Sequence, residues 1–301
     1  MLKAVNPATG ETVREVALDS EADINAKIEA SLAAFHEWKT KSYAERAKLL
    51  KAVAAHMREH VETLAPIMTE EMGKPIKEGR GEVEKSAWCA EHYADHAEGY
   101  LSRQVLESDA CLSYVQHLPI GPILGILPWN APFWLAFRFA APALMAGNSC
   151  LMKHDPHVPG CAEAIETCFR EAGAPEGLFQ ALYLETPSVE AVIRDDRVRG
   201  VSFTGSSRGG SAVAGIAGSA IKPAVLELGG SDPSIVLADA DLDKATDVLT
   251  LSRIINAGQS CIAAKRIIVE ESVYDKVEAL MKEKLAALKL GDPREGATDV
   301  G

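Results

Sequence analysis

The stretch Ile123-Leu-Gly-Ile-Leu-Pro-Trp-Asn-Ala-Pro-Phe-Trp-Leu-Ala-Phe-Arg-Phe-Ala-Ala-Pro-Ala-Leu-Met-Ala-Gly147 decides how this chain is read. Its apolar run raises the question of a membrane span. Pro128, Pro132, Pro142 and Arg138 interrupt it, however, and a lipid-facing helix tolerates backbone breaks and a central charge poorly. A buried strand ending near Leu127, a turn at Pro128 and a buried helix from Pro132 account for the same residues without placing a charge in lipid.

Downstream, short apolar runs alternate with helical patterns. Strands are expected over 123–127, 150–153, 181–184, 198–203 and 224–227, with helices over about 132–146, 160–172, 189–195 and 207–219. Strand–helix–strand units of this length predict a parallel sheet covered on both faces, with ligands at the C-terminal ends of its strands. Past Gly230 a second α/β region begins, with strands over 234–237 and 266–269 and helices over 242–256 and 273–288. Upstream, the spacing from Glu45 to Met68 (Leu49, Leu50, Val53, Met57, Val61, Leu64, Ile67) predicts one helix with a single buried face. Gly73-Lys-Pro75 stops it, a second helix runs over 78–99, and 101–119 alternates like a protruding hairpin.

Composition narrows the class. The 301 residues are 47% hydrophobic and 25% charged, as in ordinary globular proteins, and long enough for two buried cores. The net charge of −12 carries no Lys/Arg stripe, which argues against a nucleic-acid partner. The N-terminus lacks an apolar signal region, and Cys89, Cys111, Cys150, Cys161, Cys168 and Cys261 show no CxxC framework, so reduced thiols in a cytoplasmic protein are expected.

Each local motif is ambiguous by itself. His56-Met-Arg-Glu-His60 matches a zinc signature in letters, and His92 and His96 share a helix face. Their neighbours Arg58, Glu62, Glu91 and Asp95 mark solvated faces, and no metal is expected. Gly205-Ser-Ser-Arg-Gly-Gly210-Ser211 follows a strand and opens a helix, but Ser211 stands where a Walker loop needs Lys. The loop fits either a phosphate at a helix N-terminus or a glycine turn into a packed helix. Cys261 lies in a small-residue turn between a helix and a strand, and Glu227 ends a strand before Gly229-Gly230. Either residue alone is as readily structural as functional.

In combination the motifs are specific. Leu127-Pro-Trp-Asn-Ala-Pro132, Phe203-Thr-Gly-Ser206, Leu226-Glu-Leu-Gly-Gly230 and Gly258-Gln-Ser-Cys261 occur in this order, and the gaps from Asn130 to Lys153 and from Glu227 to Cys261 fit as well. The set resembles the aldehyde dehydrogenase superfamily, and the similarity runs from Asn6-Pro-Ala-Thr-Gly10 to the last residue. The subgroup it is most similar to is the succinate-semialdehyde dehydrogenases, through Lys153-His154 and Glu227-Leu-Gly-Gly-Ser-Asp-Pro233.

That resemblance implies a Rossmann-like, parallel-sheet cofactor domain at 1–100 and 120–228, a β-hairpin oligomerisation element at 101–119, and part of a second α/β catalytic domain at 229–301. It implies Cys261 as nucleophile, Asn130 as oxyanion donor and Glu227 as the base that activates water for hydrolysis. For NAD or NADP it implies Ile126, Leu127 and Trp129 beside the cofactor, Lys153 on the adenosine ribose, and Gly205 and Ser206 at the pyrophosphate, with Glu227 and Leu228 completing the site. Where NAD-preferring members carry a Glu, Pro156 stands here, and its lack of charge permits NADP, so dual or NADP-leaning use is expected. Arg138 falls where similar enzymes hold a substrate carboxylate, although an ion pair supporting its helix is an alternative. The second Arg of some members is Ile255 here, so another aliphatic or aromatic aldehyde stays open as substrate. A Cys-dependent hydrolase would need a His beside Cys261. By comparison with the family the chain stops in mid-sequence, which predicts little or no turnover by these 301 residues alone, a nucleotide-binding fragment as the rival reading, and a homo-oligomer for the full-length protein.

Overall fold

The computed structural model describes residues 1–301. Its centre is a five-stranded parallel sheet built from β5 (Pro122–Leu127), β6 (Ser149–His154), β7 (Phe179–Ala181), β8 (Gly200–Thr204) and β9 (Ala224–Glu227), in the order β7-β6-β5-β8-β9. The connecting helices are α5 (Pro132–Met145), α6 (Pro159–Glu171), α7 (Val189–Arg194) and α8 (Ser207–Ser219). The chain winds outward from β5 through β6 to β7, then returns to the opposite side of β5 for β8 and β9. The ends of β5 and β8 therefore flank a point where the winding reverses, the place where such sheets leave a crevice.

Two cores sandwich this sheet. One joins α5 and α6 to α2 (Tyr43–Glu59), α3 (Val61–Met72) and α4 (Ile76–Tyr100), with Phe133, Phe137 and Phe169 completely enclosed. The other packs α1 (Glu21–Trp38), α7 and α8 on the opposite face around Leu124, Leu151 and Val201. Beyond the sheet, β10 (Pro233–Val236) and β11 (Arg266–Val269) pair in parallel under α9 (Leu242–Ile254) and α10 (Tyr274–Ala286). Only six buried residues form their core, and Ile235, Leu237, Val248 and Leu251 stay exposed. No helix is long and apolar enough to cross a membrane, and all six cysteines are free thiols.

Three expectations need correction, and one stretch carried none. The helix expected from Glu45 to Met68 is two helices, because His60 leaves helical geometry (φ −110°, ψ 19°) while both halves still turn apolar residues to one core. The periodicity assigned nothing before that point. There the antiparallel pair β1 (Leu2–Val5) and β2 (Thr12–Val16) precedes α1, whose start is marked by a capping box of Ser20 and Asp23. The strand expected over 181–184 is β7, two residues earlier, since buried Leu182 and Leu184 prolong the apolar pattern past the paired strand. Finally, the sheet is not covered throughout: all four residues of β9 are exposed. At 101–119 the hairpin is present as β3 (Gln104–Leu106) and β4 (Ser113–Val115).

Candidate active site

The turn after β5 carries Asn130 into the crevice. Its backbone carbonyl accepts from Lys74 Nζ at 3.1 Å and from Asn256 Nδ2 at 2.8 Å. Its own side-chain Nδ2 donates to the Gln259 carbonyl at 2.8 Å, leaving a second N–H for another acceptor. Lys74 is in turn ion-paired with Glu82, and both side chains are less than a tenth exposed. The other oxygen of Glu82 accepts the backbone N–H groups of Phe133 (2.9 Å) and Trp134 (3.1 Å) in the first turn of α5. A carboxylate at that end meets otherwise unpartnered donors and the positive pole of the helix. One buried pair thus fixes both the Asn130 turn and the start of α5.

Cys261 follows a turn that is strained by its own geometry. Asn256 (φ 53°, ψ 44°) and Ala257 (φ 54°, ψ 30°) are left-handed without being glycine, and Gly258 (φ 78°) completes the reversal. Such conformations persist only where neighbours over-determine them. Glu78 accepts the Asn256 N–H at 2.8 Å, and Asn256 Nδ2 grips the Asn130 carbonyl. The helix expected to continue to Asn256 stops at Ile254 for this reason. Burial raises the Glu78 carboxyl above its ordinary range, against the lowering effect of the Asn256 N–H.

Across the crevice, Glu227 ends β9 and its side chain meets Arg138 Nη2 of α5 at 3.3 Å. Trp129, Asn130, Arg138, Ser206, Glu227 and Cys261 line one cleft of about 250 Å³, together with Gly205 and Leu228. Cys261 and Glu227 are both exposed to it. Ser206 caps α8 by accepting from Gly209 N at 3.2 Å, and Ser207 and Arg208 keep first-turn amides that have no intrahelical acceptor. The glycines of this loop also serve packing: a Cβ on Gly209 would stand 2.7 Å from the Phe203 ring, and one on Gly210 2.5 Å from Leu228. The two readings of the loop are therefore compatible.

The remaining cofactor candidates lie outside the cleft, at the adjoining strand ends. Ile126 pairs with Lys153 and Leu127 with His154 across β5 and β6. Lys153 is buried, which lowers its ammonium below the ordinary lysine range against the raising effect of the Asp155 carboxylate, and it makes no hydrogen bond or close ion pair. Pro156 follows at the half-buried turn after β6. Sequence reading missed Lys74, Glu78, Glu82 and Asn256. Gly73-Lys-Pro75 looked like a helix stop, and nothing local marks a lysine for burial.

His154 adds a pH response. Its Nδ1 accepts the Asp155 N–H at 3.0 Å, and its Nε2 faces the Pro132 carbonyl at 3.1 Å, an arrangement that suits a neutral ring with the proton on Nε2. Burial pushes its value down from the ordinary 6.5 to about 4. The unfolded chain then takes up this proton first, so this contribution is fully present above about pH 6.5 and is lost as the pH falls toward 4. Roughly 3 kcal/mol is expected from it. Urea titrations at neutral and acid pH should show His154→Gln losing less stability than the parent; equal losses would remove His154 as the cause.

The aldehyde dehydrogenase family model matches residues 1–301. A probable succinate-semialdehyde dehydrogenase [NADP(+)] of Synechocystis sp. is 44% identical over all of this chain, which spans 66% of that protein. A succinate-semialdehyde dehydrogenase [NADP(+)] of Mycobacterium avium is 42% identical, and the chain covers 64% of it. The crystal structure of succinic semialdehyde dehydrogenase from Streptococcus pyogenes in complex with NADP+ superposes with a TM-score of 0.96 at 36% identity, over 100% of this chain and 66% of that one.

Proposed function

Because this chain belongs to the aldehyde dehydrogenase family, we propose that its cleft oxidises an aldehyde to a carboxylic acid with NAD(P)+ through a covalent intermediate on Cys261. The observation that carries this reading is the single cleft at the sheet's reversal point holding Cys261, Asn130 and Glu227 beside the start of α8. The Cys261 thiolate adds to the aldehyde carbon. The free N–H of the Asn130 amide and the Cys261 backbone N–H stabilise the resulting oxyanion. When bound, the nicotinamide dinucleotide supplies the hydride acceptor that leaves an acyl thioester on sulfur. Glu227 then takes a proton from water as its oxygen bonds the acyl carbon; the C–S bond breaks and the thiolate is restored.

The chain's own residues suit that dinucleotide. The first-turn amides of α8 face anions well, and the unpartnered Lys153 ammonium offers a cation two strands away, on β6. No carboxylate at Pro156 opposes a 2′-phosphate. The Synechocystis and Mycobacterium proteins are named for NADP(+) use, which supports the same preference here. Succinate semialdehyde is the proposed substrate, supported by those names and by the Arg138 guanidinium in the cleft. Cytoplasmic action fits the free thiols, and the exposed hairpin (Val105, Leu112, Leu118) is the proposed self-association element.

Cofactor titration followed by succinate semialdehyde addition tests the reading in a chain extended to the relatives' length, since these 301 residues span 66% and 64% of those proteins and are expected to turn over little by themselves. NADPH formation with a Cys261-bound succinyl group in the mass spectrum is the expected result. Binding of NADP+ without reduction would favour the nucleotide-binding reading instead. Pro156→Glu should weaken NADP+ relative to NAD+ by about tenfold, as one like-charge opposition at close range would. An unchanged ratio would remove Pro156 from cofactor selection.

A further inference from the structure

The contact between Arg138 and Glu227 obstructs both roles just assigned. Arg138 Nη2 lies 3.3 Å from Glu227 Oε1, and neither side chain has another hydrogen-bond or ionic partner in the chain. A guanidinium committed to Glu227 is not available to a substrate carboxylate. A carboxylate committed to Arg138 offers fewer lone pairs to a water molecule. Both residues line the same cleft as Cys261, and both are substantially open to solvent, at 41% and 55% side-chain exposure. A solvent-exposed pair of this kind is weak, so a competing carboxylate can open it. The two roles cannot both be served while this contact holds.

We propose that Arg138 and Glu227 form a substrate-released latch, in which the far carboxylate of a dicarboxylic semialdehyde takes the guanidinium and thereby frees Glu227 for hydrolysis. This rests on the reading of Arg138 and Glu227 given above. The substrate carboxylate can present two oxygens to the fork of the guanidinium, whereas Glu227 meets it through one recorded contact. After hydride loss the acyl group on Cys261 still carries that carboxylate, so the latch stays open while the thioester is hydrolysed. An aldehyde without the second carboxylate forms the same thioester but leaves Glu227 latched. Selectivity is then exerted on deacylation as well as on binding, because only the matching acyl group releases the base that removes it.

The latch makes opposite predictions for two substrates. Pre-steady-state NADPH bursts report acylation, and the steady rate after the burst reports deacylation. With a chain extended to the relatives' length and otherwise unchanged, succinate semialdehyde and butanal should both give a burst, but butanal should deacylate slowly. In Arg138→Met, KM for succinate semialdehyde should rise, while the deacylation rate with butanal should increase by about two- to fivefold, the most that an exposed ion pair of this kind can withhold from the base. Arg138→Lys, which keeps a cation but loses the fork, should fall between the two. A merely structural role for Arg138 would slow both substrates, and thermal unfolding of each variant identifies that case. A retained burst with unchanged or slower butanal deacylation overturns the latch alone. Absence of a burst with every substrate overturns the catalytic reading of the cleft, and the latch with it.

Discussion

Glu82→Ala is expected to destabilise this chain by about 3–5 kcal/mol, the usual consequence of removing one member of a buried ion pair. Two losses combine. Lys74 would be left charged with no anionic partner in a site where its side chain is 4% exposed. The Phe133 and Trp134 N–H groups would lose their acceptor at the start of α5. A Lys74→Met/Glu82→Leu double variant should be much less destabilised than Glu82→Ala, since it removes the stranded charge and leaves only the helix-end donors unmet. Urea denaturation of the parent, single and double variants gives the comparison. A Glu82→Ala cost below about 1 kcal/mol would mean that water reaches the pair and that it does not organise the turn.

The second large effect is expected at Asn130. Its carbonyl is held by Lys74 and Asn256, so the backbone around its side chain is fixed before any aldehyde arrives. A donor fixed in advance stabilises developing charge without reorganisation. Removing one such donor typically costs on the order of 10²–10³ in kcat. Asn130→Ala should show that loss with little change in KM, because the amide would act on the oxyanion rather than on the bound aldehyde. Iodoacetamide labelling of Cys261 provides a control, since the thiol should stay accessible in the variant. A loss confined to KM would place Asn130 in substrate binding instead of oxyanion stabilisation.

The two predictions join at the Asn130 carbonyl. Lys74 reaches it from the segment before α4, and Asn256 reaches it from the turn that carries Cys261. Weakening the buried pair should therefore disturb the approach of the proposed nucleophile and the proposed oxyanion donor as well as stability.

Much of this was legible along the chain. Short apolar runs and helical periods located the five strands of the sheet to within a few residues, because strand and helix patterns are local signals. Asn130, Glu227 and Cys261 stood in small-residue and proline-containing turns after regular elements, and their order identified the family. The N-terminal pair of strands and α1 were less visible. The buried stripe of α1 includes Ser31 and Ala34 beside Ile28, Phe35 and Trp38, so its apolar period is faint. The break at His60 was hidden because the apolar positions on both sides still reach the same core.

The sequence by itself determined the strand–helix rhythm, the turn chemistry and which side chains are proposed to react. These depend on backbone preferences and side-chain types within a few residues. Only the tertiary structure decided that Lys74 is buried against Glu82, that both brace Asn130, and that Arg138 spans the crevice to Glu227. Those outcomes depend on which distant segments pack together. A lysine is normally solvated, and it becomes a buried brace only where a partner carboxylate and a carbonyl from other elements converge on it.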